Sequence, residues 1–121
     1  MDLPTARLLV STDGAAVVAA AAEFLAHAGT LAAMTALRKR FPPKLAAAAV
    51  DTVTLRSRAR AKFAAADRMW FTRESREQAS GDTAARHRAE RLKPFATVLD
   101  LGCGIGADAL ALAAVGCRVE G

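Results

Sequence analysis

Between Ala15 and Ala28 the apolar positions Val17, Ala21, Phe24, Leu25 and Ala28 recur at spacings of three and four, the period of a helix with one buried face. Ser11-Thr12-Asp13 in front is an N-cap cluster and Gly29 behind is a stop, so the pattern predicts a helix over 15–28. A second helix is predicted over about 30–40, with Leu31, Met34 and Leu37 on one face and Arg38-Lys39-Arg40 in its last turn, where cations suit the helix dipole. Phe41-Pro42-Pro43 ends it, and Pro43 opens a third helix, extended to about Ala66. Leu45, Ala48, Thr52, Leu55, Ala59 and Phe63 fall there at steps of three or four, within one narrow stripe at about 100° per residue. Arg56 and Arg60 flank one side of that stripe and Arg58 and Lys62 the other, which makes this a solvated helix bordering a core seam, without a single basic face.

Asp67-Arg68-Met69-Trp70-Phe71-Thr72 breaks the periodicity and holds two of the six aromatic residues. Large apolar side chains in a connection plug a core or wall a ligand. Thr72 is placed to cap a short helix to about Ala79, and Ser80-Gly81-Asp82 to cap another over 83–92, closed by Pro94. The character then changes. Ala96-Thr97-Val98-Leu99-Asp100-Leu101 is a short β-type run entering Gly102-Cys103-Gly104-Ile105-Gly106; helical period resumes over 107–115, stops at Gly116, and Cys117 to Glu120 starts a second strand. Strand, glycine loop, helix and strand form the opening of a βαβ unit with parallel strands. The expected organisation is a helical region over 1–93 and the start of an α/β domain over 94–121.

Composition sharpens this outline. The chain has 121 residues, 53% of them hydrophobic, but 31 are alanine, which bury little area each. A few large side chains must therefore carry the packing. The net charge is +5, concentrated between Arg38 and Lys93, where fifteen basic residues face six acidic ones. That excess suits a polyanion such as nucleic acid and equally a solvated helical surface. Cys103 and Cys117 lack metal or redox spacing, so no metal and a reducing cytoplasmic setting are expected. The Ala15–Leu37 stretch is apolar yet carries Glu23, His27 and Gly29, which favours a half-buried helix pair over a membrane span.

The glycine loop is where chemistry is expected. Glycines at 102, 104 and 106 remove the Cβ atoms that keep a ligand from the backbone and leave N–H groups free at a helix start. A dinucleotide fingerprint has the spacing G-x-G-x-x-G; here it is G-x-G-x-G, and Asp100 two residues ahead would repel a pyrophosphate while orienting a cationic ligand. This disfavours a nicotinamide dinucleotide and favours a sulfonium such as S-adenosylmethionine. Val98-Leu99-Asp100-Leu101-Gly102-Cys103-Gly104-Ile105-Gly106 resembles motif I of class I S-adenosylmethionine-dependent methyltransferases. The resemblance implies a Rossmann-like sheet, with Gly102, Gly104 and Gly106 approaching the cofactor and Asp100 positioning its methionine end. It also implies a ribose-binding acid at the end of the second strand, expected just past Gly121; Glu120 is a poor substitute.

Upstream, Leu37 to Pro43, the helix ending Arg60-Ala61-Lys62-Phe63, the Asp67-Arg68-Met69-Trp70-Phe71-Thr72 segment and Ala85-Arg86-His87-Arg88-Ala89 look like the helical region of bacterial methyltransferases with a THUMP-like domain. These in turn are similar to the trimethylguanosine synthase group of RNA guanine-N2 methyltransferases. The resemblance implies RNA as the partner and places Phe71 and Thr72, with Trp70, beside the cofactor; His87 matches a family histidine by position and is read as a satisfied structural one. The family's Asn/Asp/Ser-Pro-Pro-aromatic tetrad, which receives the target amine, has no counterpart, since Pro42-Pro43 follows Phe41 at a helix start. The expectation is thus an α/β chain carrying the front of a methyltransferase, with no catalytic residue and no turnover of its own. The alternative is a non-catalytic basic helical module that binds nucleic acid.

Overall fold

The computed structural model describes residues 2–121. Its elements are α1 (Leu3–Leu9), α2 (Thr12–Arg38), α3 (Pro43–Ala59), a 3-10 turn (Ala66–Arg68), α4 (Arg73–Gln78), α5 (Asp82–Leu92), β1 (Thr97–Leu99), α6 (Ala107–Ala114) and β2 (Arg118–Glu120). The described chain is mostly helical with a small two-stranded parallel sheet, α/β in the general sense. It forms two compact units, one up to Leu55 and one from Arg56 onward.

In the first unit, α1 is an element the apolar period did not predict. Its marks are polar: the Asp2 carboxylate accepts from the Thr5 N–H at 2.9 Å and Pro4 stands in the first turn, a pairing that starts helices. The hydrogen bonds from Thr5 hold the Asp2 carboxyl down at about 2. Ser11 caps α2 by accepting from Gly14 N at 3.3 Å, so the helix begins at Thr12, three residues before the expected start. Gly14 is required by space, because a Cβ there would run into the carbonyl oxygens of Leu8 and Leu9.

Gly29 interrupts α2 with φ 74° and ψ 175°, where the pattern places its stop. Leu9, Val17, Ala21, Leu37, Leu45 and Val50 form the core of this unit. Leu31 was expected on the face of Met34 and Leu37 but is 84% exposed. Two successive three-residue steps rotate about 120° around a helix, which carries Leu31 off the buried face. By length and hydropathy α2 is able to cross a membrane, with a mean hydropathy of 1.5 and 22% of that window buried; alanine supplies much of this hydropathy.

The stripe on α3 is buried throughout, from Leu45 to Ala59 and on to Phe63 at 1% exposure. The helix ends at Ala59 rather than Ala66. The Ala64 N–H, which would continue the ladder, goes instead to the Asp82 carboxylate at 2.7 Å, and the 3-10 turn follows.

In the second unit, the two flanks of cations serve two different segments. Arg60 donates twice to Asp67, at 2.9 and 3.1 Å, while Lys62 Nζ donates to the carbonyls of Arg76, Glu77 and Ala79 at 3.2–3.4 Å. A cation there closes the C-terminus of α4, whose last carbonyls have no helical partner. The change of character at Pro94 marks a new element type but no gap in packing, since α5 packs on α6 and on the sheet through Ala89, Leu112 and Cys117. The strands pair in the register Thr97↔Arg118, Val98↔Val119 and Leu99↔Glu120. Val98 and Val119 are half-buried, whereas Leu99 is 63% and Leu101 90% exposed.

Candidate functional site

The loop from Asp100 to Gly106 leaves β1 and turns into α6. Gly104 (φ 53°) and Gly106 (φ 78°) occupy left-handed backbone, which glycine adopts without the Cβ penalty. Gly102 does not. Its φ lies outside that region and a Cβ there would meet nothing within 4 Å, so neither backbone shape nor packing within the protein calls for glycine at 102. The Gly106 N–H donates to Cys103 O at 2.7 Å, and the Asp100 carboxylate accepts from the Gly102 N–H at 3.2 Å. Asp100 therefore bends back over its own loop as in an Asx turn.

Electrostatically this loop is acidic. Asp108, in the first turn of α6, receives Arg88 in a two-pronged contact: Nε and Nη2 reach Oδ1 at 3.0 and 2.6 Å, and Nη2 reaches Oδ2 at 2.9 Å. The positive end of the helix dipole is thus already answered by a carboxylate. Arg88 compensates the charge of Asp108, so the unpaired acid of the loop is Asp100, whose carboxylate forms no ion pair among the described residues; it repels a phosphate and attracts a cationic group.

A cleft of about 210 Å³ opens between this loop and the end of α4, lined by Gly102, Cys103, Gly104, Ser75, Gln78 and Ser80 among others. Ser75, Gln78, Ser80 and Asp108 were not foreseen as wall residues. Asp108 carries a visible mark, an acid at a helix start; the α4 residues carry none, because the position of that segment is set by contacts from distant residues such as the Lys62 clamp. A second hollow of about 270 Å³ lies among Phe63, Met69, Ala85, Arg86, Leu110 and Ala111, with other small residues.

The expected site residues divide. Gly102 and Gly104 line the cleft, and Asp100 and Gly106 shape the loop behind it. Phe71 and Thr72 do not line it. Phe71 is 8% exposed and stacked against Phe63, ring centroids 5.7 Å apart at 34°, so it plugs the core of this unit. The Thr72 hydroxyl caps α4, accepting from Ser75 N at 3.0 Å while the Ser75 hydroxyl accepts from Thr72 N at 2.8 Å. Glu74 in that turn has its carboxyl held below the usual range by its own N–H and by the Thr72 hydroxyl. Trp70 is 40% exposed, with the Arg56 guanidinium 4.5 Å from its ring centre.

His87, expected to be a satisfied structural histidine, stands exposed on α5. Its position five residues into a helix whose buried face is Ala85 and Ala89 turns it outward. Glu120 pairs with Arg118 at 3.0 Å, beside the strand end. The two cysteines are free thiols, Cys103 exposed and Cys117 buried, and no cluster of metal-ligating side chains occurs among the described residues.

Residues 2–59 are similar to a family described as a domain of unknown function, DUF8688. This match covers α1 to α3 and ends before the glycine loop. No curated protein and no solved structure matches the chain.

Proposed function

We propose that the loop from Asp100 to Gly106 binds S-adenosylmethionine, as part of a class I methyltransferase with a Rossmann-like sheet that acts on RNA. The observation that carries this reading is the acidic glycine loop between parallel strands. A ligand approaches bare backbone at Gly102, where nothing else requires glycine, beside the unpaired Asp100 carboxylate, which disfavours a phosphate and favours a sulfonium and an amino group. The exposure of Leu99 and Leu101 supports a larger sheet, because parallel strands are normally covered on both faces. The free thiols suit a reducing cytoplasm.

The cofactor supplies an electrophilic methyl group on sulfur. The chain's own residues orient it: the Asp100 carboxylate attracts the cationic end, and the Gly102 and Gly104 backbone permits close approach. Ser75, Gln78 and Ser80 offer hydroxyl and amide partners on the facing wall. Positioning and electrostatics of this kind are what a displacement at carbon requires of a protein. No residue of the chain is assigned to receive the acceptor amine.

Titration of the isotopically labelled protein with S-adenosylmethionine, read at the amides of Gly102, Gly104 and Gly106, tests the assignment. Saturable shifts at these amides are expected with S-adenosylmethionine and not with a nicotinamide dinucleotide. Shifts with the dinucleotide alone, or none with either, overturn it.

A further inference from the structure

The most unusual exposed feature of the second unit lies away from the glycine loop. Trp70 sits in a connecting segment that folds back along the end of α3. Arg60 holds Asp67 of that segment, and Arg56 Nε donates to Met69 O at 2.9 Å. These contacts fix the segment over one helix flank and bring the Arg56 guanidinium over the indole ring at 4.5 Å. Burial depresses the basicity of Arg56, opposed in part by Asp67, and no carboxylate of this unit forms an ion pair with it. Phe71, the next residue, turns inward against Phe63. Trp70 instead makes no ring pair with any aromatic side chain among the described residues and stays 40% exposed.

An indole that is partly exposed with a fixed guanidinium over its ring differs from a tryptophan that fills a core. Large aromatics are costly to leave in water, and burial of Phe71 beside it shows that the segment can turn an aromatic inward. Indole faces stack on nucleobases, and a guanidinium over one face holds the ring in place. The charge around the ring points the same way. Arg68 and Arg73, exposed on either side of Trp70 in the chain, add positive charge to the segment, Arg73 acting also on the neighbouring Glu74 carboxylate.

We propose that Trp70, backed by Arg56 and flanked by Arg68 and Arg73, is a stacking platform for a base of single-stranded RNA, with the neighbouring phosphates meeting the arginines. This shares with the function proposed above only the nucleic-acid partner; it does not depend on cofactor binding.

The chain contains one Trp and no Tyr, so its intrinsic fluorescence reports Trp70 alone. Titration of the full chain with a short unstructured RNA is expected to quench that fluorescence saturably. The affinity is expected to fall with salt at a slope of about 0.7 per phosphate contacted. In Trp70→Leu, binding followed by the anisotropy of a labelled RNA should weaken by about 5- to 160-fold, the range for loss of one base–aromatic stack, with the salt slope unchanged. Arg56→Lys, which retains the charge and loses the plane, should fall between the two.

Absence of quenching at saturating RNA, or wild-type affinity in a Trp70→Leu chain of unchanged helicity, overturns the platform. Equal affinity for a mononucleotide or for duplex RNA does so too, the first showing a free-nucleotide site and the second phosphate contacts alone. A spectral change that depends on protein concentration instead of RNA assigns the ring to a protein contact and is likewise a refutation. Shifts of the glycine-loop amides with S-adenosylmethionine in Trp70→Leu report the cofactor reading separately, so either can fail without the other.

Discussion

Replacing Gly102 by Ala separates what the fold demands of this loop from what a ligand demands. Gly102 has ordinary backbone and open space where a Cβ would be. An Ala there costs the folded state nothing and restricts the unfolded chain, a gain of about 0.4–1 kcal/mol. Gly106 is the contrast, since it also has open space but a φ of 78°. Ala in left-handed backbone costs about 1–2 kcal/mol, so the two substitutions should differ by about 2 kcal/mol in opposite directions. Near the midpoint of a 60–100-residue domain 1 kcal/mol corresponds to about 4–8 °C. Thermal melts followed by circular dichroism should therefore show Gly102→Ala melting a few degrees above the parent and Gly106→Ala clearly below it. Calorimetric titration with S-adenosylmethionine should rank them differently: Gly102→Ala, the more stable protein, should bind markedly less, because its new methyl group stands where the cofactor approaches. A stabilised Gly102→Ala that binds the cofactor as well as the parent would refute the claim that glycine at 102 exists for the ligand, and a strongly destabilised one would refute the loop geometry.

Three further outcomes are expected. Phe63→Ala removes a ring that is 1% exposed and stacked on Phe71. The cost of about 3–5 kcal/mol is a large share of what a unit of this size possesses, so urea denaturation should show the segment from Arg56 onward unfolding at low denaturant. Gly14→Ala places a methyl group against the Leu8 and Leu9 carbonyls and should destabilise the first unit by about 1–3 kcal/mol, with amide exchange in α1 rising first. The Asp2 cap should make α1 acid-sensitive. Its carboxyl is lowered to about 2 in the folded chain from 3.8, so its contribution is complete above about pH 4 and is lost as the pH falls towards 2; a Thr5 amide whose protection does not change over that window, or changes equally in Asp2→Ala, contradicts it.

Periodicity and punctuation were enough to locate most of the elements. The α3 stripe from Leu45 to Phe63 lies buried because spacings of three and four keep one face inward. Gly29 and Gly116 break the chain where they stand because each adopts a positive φ. Thr72 caps α4 because its hydroxyl accepts from an orphan N–H of the first turn. The strand, glycine loop, helix and strand, with Asp100 at the turn, were likewise legible, since each is a property of adjacent residues. α1 was missed because its marks are a cap and a proline with little apolar period.

What the tertiary structure alone decided concerns contacts between residues distant in the chain. Adjacent aromatics at 70 and 71 look equivalent in sequence, yet Phe71 enters the core against Phe63 while Trp70 remains outside under Arg56. Of the cations at and just past the end of α3, Arg60 is taken up by Asp67, Arg56 by the Met69 carbonyl and Lys62 by the end of α4. The wall facing the glycine loop is built from α4, whose end Lys62 holds, and Asp100 is left as the loop's unpaired acid because Arg88 reaches Asp108 across twenty positions. Local order follows from the backbone's own hydrogen bonds and periodicity, which neighbours in sequence fix; the site's walls and charge follow from packing, which they do not.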